Sequence, residues 1–496
     1  MHDKNRAIFV ASFLTLIAAG AGFAIRGAIL NDWSAQFGFT KSELGNITGG
    51  GLTGFGIIII LASLFVDRVG YRTILLLAFL LHLLSAAVTL AATPVFEISG
   101  KGATYWCLFA GMFLFAIANG LCEAAINPLV ATLFPRQKTH SLNILHAGWP
   151  GGLIVGGLLG FLFCGRGAAV TQLRWEIPMM FFLIPTAVYG FITLKEKFPL
   201  SEARAAGVGF GEMLAQFAAP VFLLLLVLHA MVGYVELGTD SWITNIMENV
   251  MSGNAVLVLV YTSTIMFVLR FFAGPIVGKI NPIGLLFVSS LLGCCGLYWL
   301  GSITSTSVAM IFLAATVYGT GKTFFWPTML GVVGERYPRG GALTMGVMGG
   351  VGMLSAGLLG GPGIGYTQDY YASQYLKDNS PKTYQRYVSS DPKSFLFLPA
   401  IAGLDGGKVG SLSEKKKKGE SLTPVEQQDY QPVVEAGLHG GRMALKWTSA
   451  VPLTMAIGYL FLVIYFRMKG GYQVEVLHGR QPDGEEFTGG VESPVE

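Results

Sequence analysis

Long runs of apolar residues separated by short polar loops dominate the chain. A helix needs about 20 mostly apolar residues to cross a bilayer. The runs are continuous rather than alternating, which favours helices over a membrane barrel. The pattern predicts an all-α integral membrane protein with twelve transmembrane helices. The predicted spans are 7–30, 44–66, 72–92, 104–133, 141–164, 176–195, 217–238, 254–277, 284–303, 306–333, 342–366 and 446–467.

The spans fall into two halves of six that resemble each other. Residues 120–128 of the fourth span read GLCEAAINP, and residues 319–327 of the tenth read GTGKTFFWP. Aligning their prolines places Glu123 on Lys322 and Asn127 on Trp326. Parallel repeats of this kind place a substrate site between the halves, near the bilayer midplane. The sequence therefore predicts two pseudo-symmetric six-helix bundles with a shared central site.

The loops divide the chain into further parts. Lys and Arg are concentrated in the loops on one side, which predicts that both termini are cytoplasmic. Lys415–Lys418 is a contrary signal, but a loop as long as the one that holds it is translocated largely regardless of charge. The predicted parts are an N-terminal bundle (1–195), a cytoplasmic linker (196–216), a C-terminal bundle (217–467) with an external insertion (367–445), and a cytoplasmic tail (468–496).

Composition excludes several classes of function. The chain is 52% hydrophobic and 12% charged, and its net charge is only +4, so nothing indicates a nucleic-acid partner. All five cysteines fall inside apolar segments, which predicts neither a disulfide framework nor a metal site. The GTGKT at residues 319–323 lacks the earlier glycine and the preceding strand of a phosphate loop. We expect no cofactor, no metal and no enzymatic activity.

Two charges near the middle of predicted spans carry the central hypothesis. A charge at mid-bilayer costs roughly 2.5–3.5 kcal/mol on insertion scales, so it is paired, hydrated or functional. Asn127 follows Glu123 by four residues and Trp326 follows Lys322 by four, so each pair shares a helical face. We expect Glu123 and Lys322 to face each other in a cavity where Glu123 carries a coupling proton. The alternative is a fixed bridge that only holds the halves together.

Other polar residues in the spans extend this set. The guanidinium groups of Arg26 and Arg270 suit planar anions, although Arg26 could instead reach the external interface. Glu236 or Asp240 is a conceivable partner for Arg270. His146 is a candidate proton relay, with a neutral histidine bonded to a backbone carbonyl as the alternative. Trp149 and Trp326 lie beside polar positions, so they could stack on a sugar ring.

Residues 63–72, SLFVDRVGYR, resemble the loop 2–3 signature of the major facilitator superfamily. The resemblance implies that Asp67 and Arg68 latch the inner gate against the other half. Arg72 completes the signature, but anchoring at the positive membrane edge accounts for it equally well. Twelve helices, a central linker and two internal termini are also similar to that family.

A narrower resemblance links residues 123–128 and 142–146, EAAINP and LNILH, to helices 4 and 5 of the fucose-permease-like sugar–proton symporters. Residues 23–32 are similar to their first helix and residues 234–242 to the outer end of their seventh. The resemblance implies that acids matching Glu123 and Asp32 take part in proton coupling and sugar binding. Trp149, Arg26 and Lys322 depart from the pattern of that group.

These observations predict a secondary transporter that works by alternating access. The leading hypothesis is proton-coupled uptake of a small polar solute, such as a sugar, by a monomer in the lipid bilayer of a bacterial inner membrane. The alternative is an anion carrier that uses Arg26, Arg270 and Lys322. A non-transporting sensor or a membrane-embedded enzyme remains as a different class, but no nucleophile–base spacing or signalling domain favours either.

Overall fold

The computed structural model describes residues 3–39, 41–164, 168–248, 256–304, 307–417, 419–475, 477–480 and 486–488. Within these ranges, eleven helices are long and apolar enough to cross a membrane, and one further apolar helix, Leu257–Arg270, is shorter. The prediction of an all-α membrane protein with twelve spans is confirmed.

The first half contains the helices of spans one to six. They are α1 (Asp3–Ala28), α2 (Leu30–Phe37), α3 (Lys41–Val69), α4 (Tyr71–Leu90), α5 (Ala92–Leu133), α6 (Lys138–Phe163), α7 (Glu176–Met180) and α8 (Leu183–Lys195). The linker adds two short helices and a 3-10 turn, namely α9 (Glu202–Ala205), α10 (Phe210–Ala215) and Gln216–Ala218.

The second half is more interrupted. Its helices are α11 (Pro220–Gly233), α12 (Thr239–Glu248), α13 (Val256–Arg270), α14 (Ala273–Ser302), α15 (Val308–Lys322), α16 (Phe325–Arg336), α17 (Gly341–Ser355), α18 (Gly361–Asn379), α19 (Pro381–Tyr387), α20 (Gly406–Lys417), α21 (Pro424–Thr448) and α22 (Ala450–Met468). The remaining elements are π segments at Tyr234–Gly238 and Ala356–Gly360, a 3-10 turn at Pro338–Gly340, and the antiparallel strands β1 (His478–Arg480) and β2 (Glu486–Thr488) of the tail.

The two halves pack against each other along two seams. Helix α3 lies on α17, and α6 lies on α13 and α16. Small residues bring the first pair close, since a Cβ added to Gly56 of α3 would lie 2.9 Å from the Gly350 carbonyl oxygen of α17. Such approach is how membrane helices gain packing energy without a hydrophobic drive between them. We call the end of the molecule that holds the linker the linker end, and the opposite end, which holds residues 367–445, the insertion end.

Four spans of the second half are interrupted in the part of the chain that the structure describes. The seventh and the eleventh pass through the π segments Tyr234–Gly238 and Ala356–Gly360, the eighth pauses after Arg270, and the tenth breaks at Thr323 and Phe324. Breaks of this kind leave backbone groups without helical partners. They are tolerated in a bilayer only where the protein or a cavity satisfies those groups, so the breaks mark a polar centre.

The helices of the last two spans continue beyond the predicted membrane segments. The eleventh span is predicted to end at 366 and the twelfth to begin at 446, whereas the helices continue to Asn379 and begin at Pro424. The two extensions pack on each other and, with α19 and α20, form a helical cap. The buried core of this cap consists of Leu376, Tyr387, Leu412, Val433 and Ala436. Hydropathy misses these turns because their outer faces are polar.

Candidate functional site

A narrow cavity lies between the halves, near the middle of the spans. Its volume is about 20 Å³, which is room for a water molecule, so a sugar-sized ligand requires it to widen. The lining residues come from both halves: Glu123, His146 and Trp149 from the first, and Glu236, Leu237, Arg270, Trp326 and Met353 from the second. The structure thus brings six of the predicted site residues together.

Glu123 heads a chain of side-chain hydrogen bonds in the first half. Asn127 Nδ2 donates to Glu123 Oε2 at 2.7 Å and to the Glu123 carbonyl at 2.9 Å. Because both partners are acceptors, the amide orientation is fixed, and Asn127 Oδ1 accepts from His146 Nε2 at 2.8 Å. His146 therefore carries its proton on Nε2 and bonds the Asn127 side chain rather than a backbone carbonyl.

Arg270 of the eighth span contacts residues of three other spans, the fifth, the seventh and the tenth. Its Nε donates to the Thr323 carbonyl at 2.8 Å and its Nη1 to the His146 carbonyl at 2.6 Å. Residues 327 and 150, four positions after each, are prolines, so neither carbonyl has its usual helical donor. The remaining guanidinium nitrogen, Nη2, pairs with Glu236 Oε1 at 3.0 Å. The conceivable Arg270–Glu236 pair is present, and Arg270 also joins the second half to the first.

The expected pairing of Glu123 with Lys322 is wrong. Lys322 Nζ pairs with Asp240 of the seventh span, within its own half, and the Lys322 side chain is fully buried. Lys322 is the last residue of α15, and the break that follows turns its side chain toward helix α12. Among the described residues, no cation lies within ion-pair distance of Glu123.

The charges around the cavity therefore divide unevenly between the halves. In the second half, two acids, Glu236 and Asp240, neutralise two bases, Arg270 and Lys322. In the first half, the carboxyl of Glu123 has, among the described residues, the Asn127 amide as its side-chain hydrogen-bond partner and no ion pair. With all five groups ionised the centre carries one net negative charge, and protonation of Glu123 makes it neutral.

Two tryptophans provide apolar surface at this site. Trp326 is buried and packs against the His229 ring with the centroids 4.6 Å apart. Trp149 is half-buried and contacts Phe23 with the ring centroids 5.9 Å apart. Both line the cavity, so an aromatic wall is available on each side of it.

Arg26 and Asp32 do not line the cavity. Arg26 is buried inside the first half, 3.8 Å from the Phe115 ring centroid, with Ser85 Oγ accepting from its Nη2 at 3.1 Å. It therefore neither reaches the membrane surface nor faces the other half. Asp32 lies in the first turn of α2 at the insertion end, where it accepts a bond from Gln172 Nε2 at 3.3 Å.

Polar contacts between the halves close the linker end. Lys138 Nζ, fully buried at the start of α6, donates to Glu202 Oε2 of the linker at 2.6 Å and to the Gly334 carbonyl of α16 at 2.9 Å. Burial raises the pKa of the Glu202 carboxyl, and the ammonium of Lys138 lowers it by less. Lys138 thus ties both halves and the linker together.

A second cluster at this end involves the tail. Glu335 Oε1 accepts from Thr139 Oγ1 at 2.6 Å, and Glu335 Oε2 accepts from Tyr472 at 2.8 Å. One turn deeper, Asn143 Nδ2 donates to Thr328 Oγ1 at 3.1 Å. The bonds from Thr139 and Asn143 run between the halves, so opening this end breaks several of them at once.

The charged residues of the signature segment at 63–72 make different kinds of contact. Asp67 Oδ2 accepts from the backbone N–H of Ala342 at 3.1 Å, which brings it to the start of α17 in the other half. Arg68 instead lies 5.2 Å from the Phe210 ring of the linker. Arg72 donates to the Leu194 carbonyl at 2.6 Å within its own half. Among the three, only Asp67 makes a hydrogen bond across the halves.

Replacing Lys138 with Met is expected to open the linker end, because Glu202 and the Gly334 carbonyl lose a buried partner. We expect maleimide to label a cysteine at Met345, a buried position beside Glu202, about tenfold faster, which corresponds to about 1.4 kcal/mol. Lys195→Met makes the same change at an exposed lysine and is the control. Equal labelling rates in both variants would contradict the assigned role.

The sequence gives Asp240 as a conceivable partner of Arg270, whereas in the structure it pairs with Lys322. Other residues at these sites have no distinguishing signal in the sequence. The sequence marks Lys138 only as a basic loop residue, and no pattern distinguishes Glu202 or Glu335.

Among the described residues, no cluster of His, Cys, Asp or Glu could hold a metal ion.

The comparison with protein families finds a match over most of the chain. A sequence model described as "Major Facilitator Superfamily" matches residues 9–361, most of the chain. None of the curated proteins compared with the chain matches it.

Solved structures with a similar fold include transporters of different solutes. FucP, the fucose:proton symporter of E. coli, is 16% identical with a TM-score of 0.58, covering 91% of this chain and 98% of FucP. The proton:xylose symporter XylE is 14% identical with a TM-score of 0.63, covering 76% and 91%. The human organic anion transporter MFSD10 is 13% identical with a TM-score of 0.59, covering 92% and 99%. At these identities the likeness shows the fold alone.

Proposed function

This chain belongs to the Major Facilitator Superfamily, and from that membership and the charges of its cavity we propose that it is a proton-coupled symporter of a small neutral polar solute, such as a sugar. It is a multi-pass membrane transporter, and the coupling ion and the solute are the proposed parts. In this mechanism the halves rock about the central cavity, which opens to each side in turn.

The carboxyl of Glu123 supports this proposal most strongly. It lines the cavity between the halves, and no cation in the described ranges lies within ion-pair distance of it. A proton can therefore come and go without breaking an ion pair. The bonded chain through Asn127 to His146 ends at the residue whose carbonyl accepts from Arg270. Protonation is thereby connected to the contact between the halves.

The charge balance favours a neutral solute over an anion. An anion carrier needs a positive cavity, whereas Arg270 and Lys322 are each neutralised by an acid of their own half. Arg26, the third cation of that alternative, lies away from the cavity. Stacking of a sugar ring on Trp149 and Trp326, with hydrogen bonds to Glu123 and His146, suits the lining once the cavity widens.

We further propose that the linker end faces the cytoplasm and that the protein works as a monomer in a bacterial inner membrane. Basic residues in the loops support this orientation. Protonation and solute binding would occur from the insertion end while the contacts around Lys138 keep the linker end closed.

Purified protein in liposomes with an internal pH dye tests the function. A thermal-shift screen of sugars, sugar acids and small carboxylates first selects a ligand, because a solute that binds only the native state raises the melting temperature. We expect a neutral sugar or polyol to be selected and to acidify the lumen when it is added outside. Transport without proton movement would contradict the coupling, and selection of carboxylates alone would contradict the solute class.

Lys322→Met separates the two solute classes when it is combined with Asp240→Asn. The single change leaves the half-buried carboxylate of Asp240 without its partner, so we expect impaired folding and transport. The double change removes both charges and is expected to restore most of the transport of a neutral solute. A double variant that melts like the wild type but carries nothing would instead favour the anion carrier. Asp240→Asn alone is the matched control.

A further inference from the structure

An apolar loop protrudes from the insertion end, apart from the transport site. Antiparallel bridges pair residue 388 with 404 and residue 393 with 401, forming an irregular hairpin whose tip we define as residues 394–400. Three consecutive apolar side chains of this tip loop face outward. Their exposed fractions are 66% for Leu396, 91% for Phe397 and 37% for Leu398.

These side chains are not part of the cap core. The cap buries its own apolar cluster around Leu376 and Val433, so it does not need the tip loop for stability. Leu396 has a φ of +52°, a left-handed conformation that costs a leucine free energy. The strain persists because the loop is held on both sides, and it directs apolar groups away from the protein.

Two contacts fix the tip loop to α18. Tyr366 donates its hydroxyl to the Pro399 carbonyl at 2.8 Å. Phe395 packs on the same turn, where a Cβ added to Gly363 would lie 3.0 Å from its ring. The tip therefore cannot fold back over the cap core.

The position of Tyr366 on α18 indicates how far the tip loop lies from the membrane–water interface. Five residues before Tyr366, the Gly361 carbonyl accepts from Trp242 Nε1 at 2.9 Å, and Trp447 is 57% exposed near the membrane end of α21. Tryptophans of this kind lie at the membrane–water interface. At 1.5 Å per residue, Tyr366 is about 7 Å beyond that level, whereas Leu376 is about 22 Å beyond it.

We propose that the tip loop inserts Leu396 and Phe397 into the headgroup–acyl boundary of the leaflet at the insertion end. The inference goes beyond the transport function. Lipid is the favoured partner because the loop is held about 7 Å beyond the level of the interfacial tryptophans, which is within the polar headgroup layer outside the hydrocarbon core, next to the boundary where interfacial segments bury apolar side chains. Insertion would cover a patch that is otherwise exposed to water and would attach the cap to the bilayer.

A fluorophore at the tip tests the proposal in nanodiscs. Phe397→Cys, in a full-length chain whose five native cysteines are replaced, is labelled with an environment-sensitive dye. Ser411→Cys, on the exposed face of α20, is the matched control in the cap. We expect blue-shifted emission and quenching by brominated lipid at position 397, and red emission with quenching by aqueous iodide at position 411.

Two results would overturn the proposal. Iodide quenching at 397 equal to that at 411 would place the tip in water, and shielding from both quenchers would place it against protein, as a lid over the outer mouth. An independent measurement uses the unmodified chain and a phospholipid with a photoreactive headgroup. We expect cross-links on peptides that contain residues 394–400, and their absence, with labelled spans elsewhere, also overturns the proposal.

Discussion

Glu123→Gln is expected to abolish proton-driven accumulation of the solute while the protein stays folded. The amide resembles a permanently protonated carboxyl in size, and its oxygen can still accept from Asn127 Nδ2. The variant can bind solute and exchange it, but it has no site that releases and takes up the coupling proton. The first half would keep its packing, so the melting temperature should change little.

Flux in liposomes measures this effect directly. With one proton per solute, each pH unit is worth about 1.4 kcal/mol and supports about tenfold accumulation. We expect the wild type to approach that ratio and Glu123→Gln to stop at equal concentrations while still exchanging labelled solute. Glu435→Gln makes the same change on the surface of the cap and serves as the control. Uphill uptake by Glu123→Gln would remove Glu123 from the coupling mechanism.

Arg270→Met is expected to give the largest loss of stability in the second half. Breaking a buried ion pair by removing one partner costs about 3–5 kcal/mol. Here Glu236 loses its cation, and the two carbonyls that the prolines leave free also lose a donor. Thermal melting in detergent, followed by unfolding in denaturant, measures the change.

A matched variant and a rescue test the cause of that loss. Arg26→Met removes an equally buried arginine that has no carboxylate within ion-pair distance among the described residues, so we expect it to cost less. Adding Glu236→Gln to Arg270→Met should recover part of the loss. Pro150→Ala should recover a further part by giving the His146 carbonyl a helical donor. If neither second change helped, the bonds of Arg270 would not explain its contribution.

Hydropathy predicted the spans because the bilayer demands about 20 apolar residues from each of them. Hydropathy did not predict the helical turns beyond the spans, where one face of each helix is in contact with water. The extensions to Asn379 and from Pro424 are polar outside, and their stability comes from packing and from a capping box at Thr423 and Glu426. Neither the packing nor the capping box lengthens a run of apolar residues, so hydropathy does not detect these turns.

The sequence predicted six of the residues that line the cavity, but not the pairing of Lys322. Residue spacing correctly placed Asn127 beside Glu123, because a four-residue interval fixes the helical face. It could not reveal that Lys322 turns to Asp240, since that depends on the break in the tenth span and on its rotation relative to the seventh. Pro150 and Pro327 could have been read as markers of free carbonyls, which would have singled out Arg270.

The run of helical backbone from the seam helix α17, through the π segment Ala356–Gly360 and into α18, makes the cap a lever arm on the second half. From Met353 beside the cavity to Leu376 in the cap core is roughly 35 Å of helix at 1.5 Å per residue. A rocking of about 10° would swing the cap by roughly 6 Å, the scale of known domain rotations. A pair of dyes on the cap and the first half would report each turnover as a change in energy transfer, and an antibody fragment gripping the cap could arrest it.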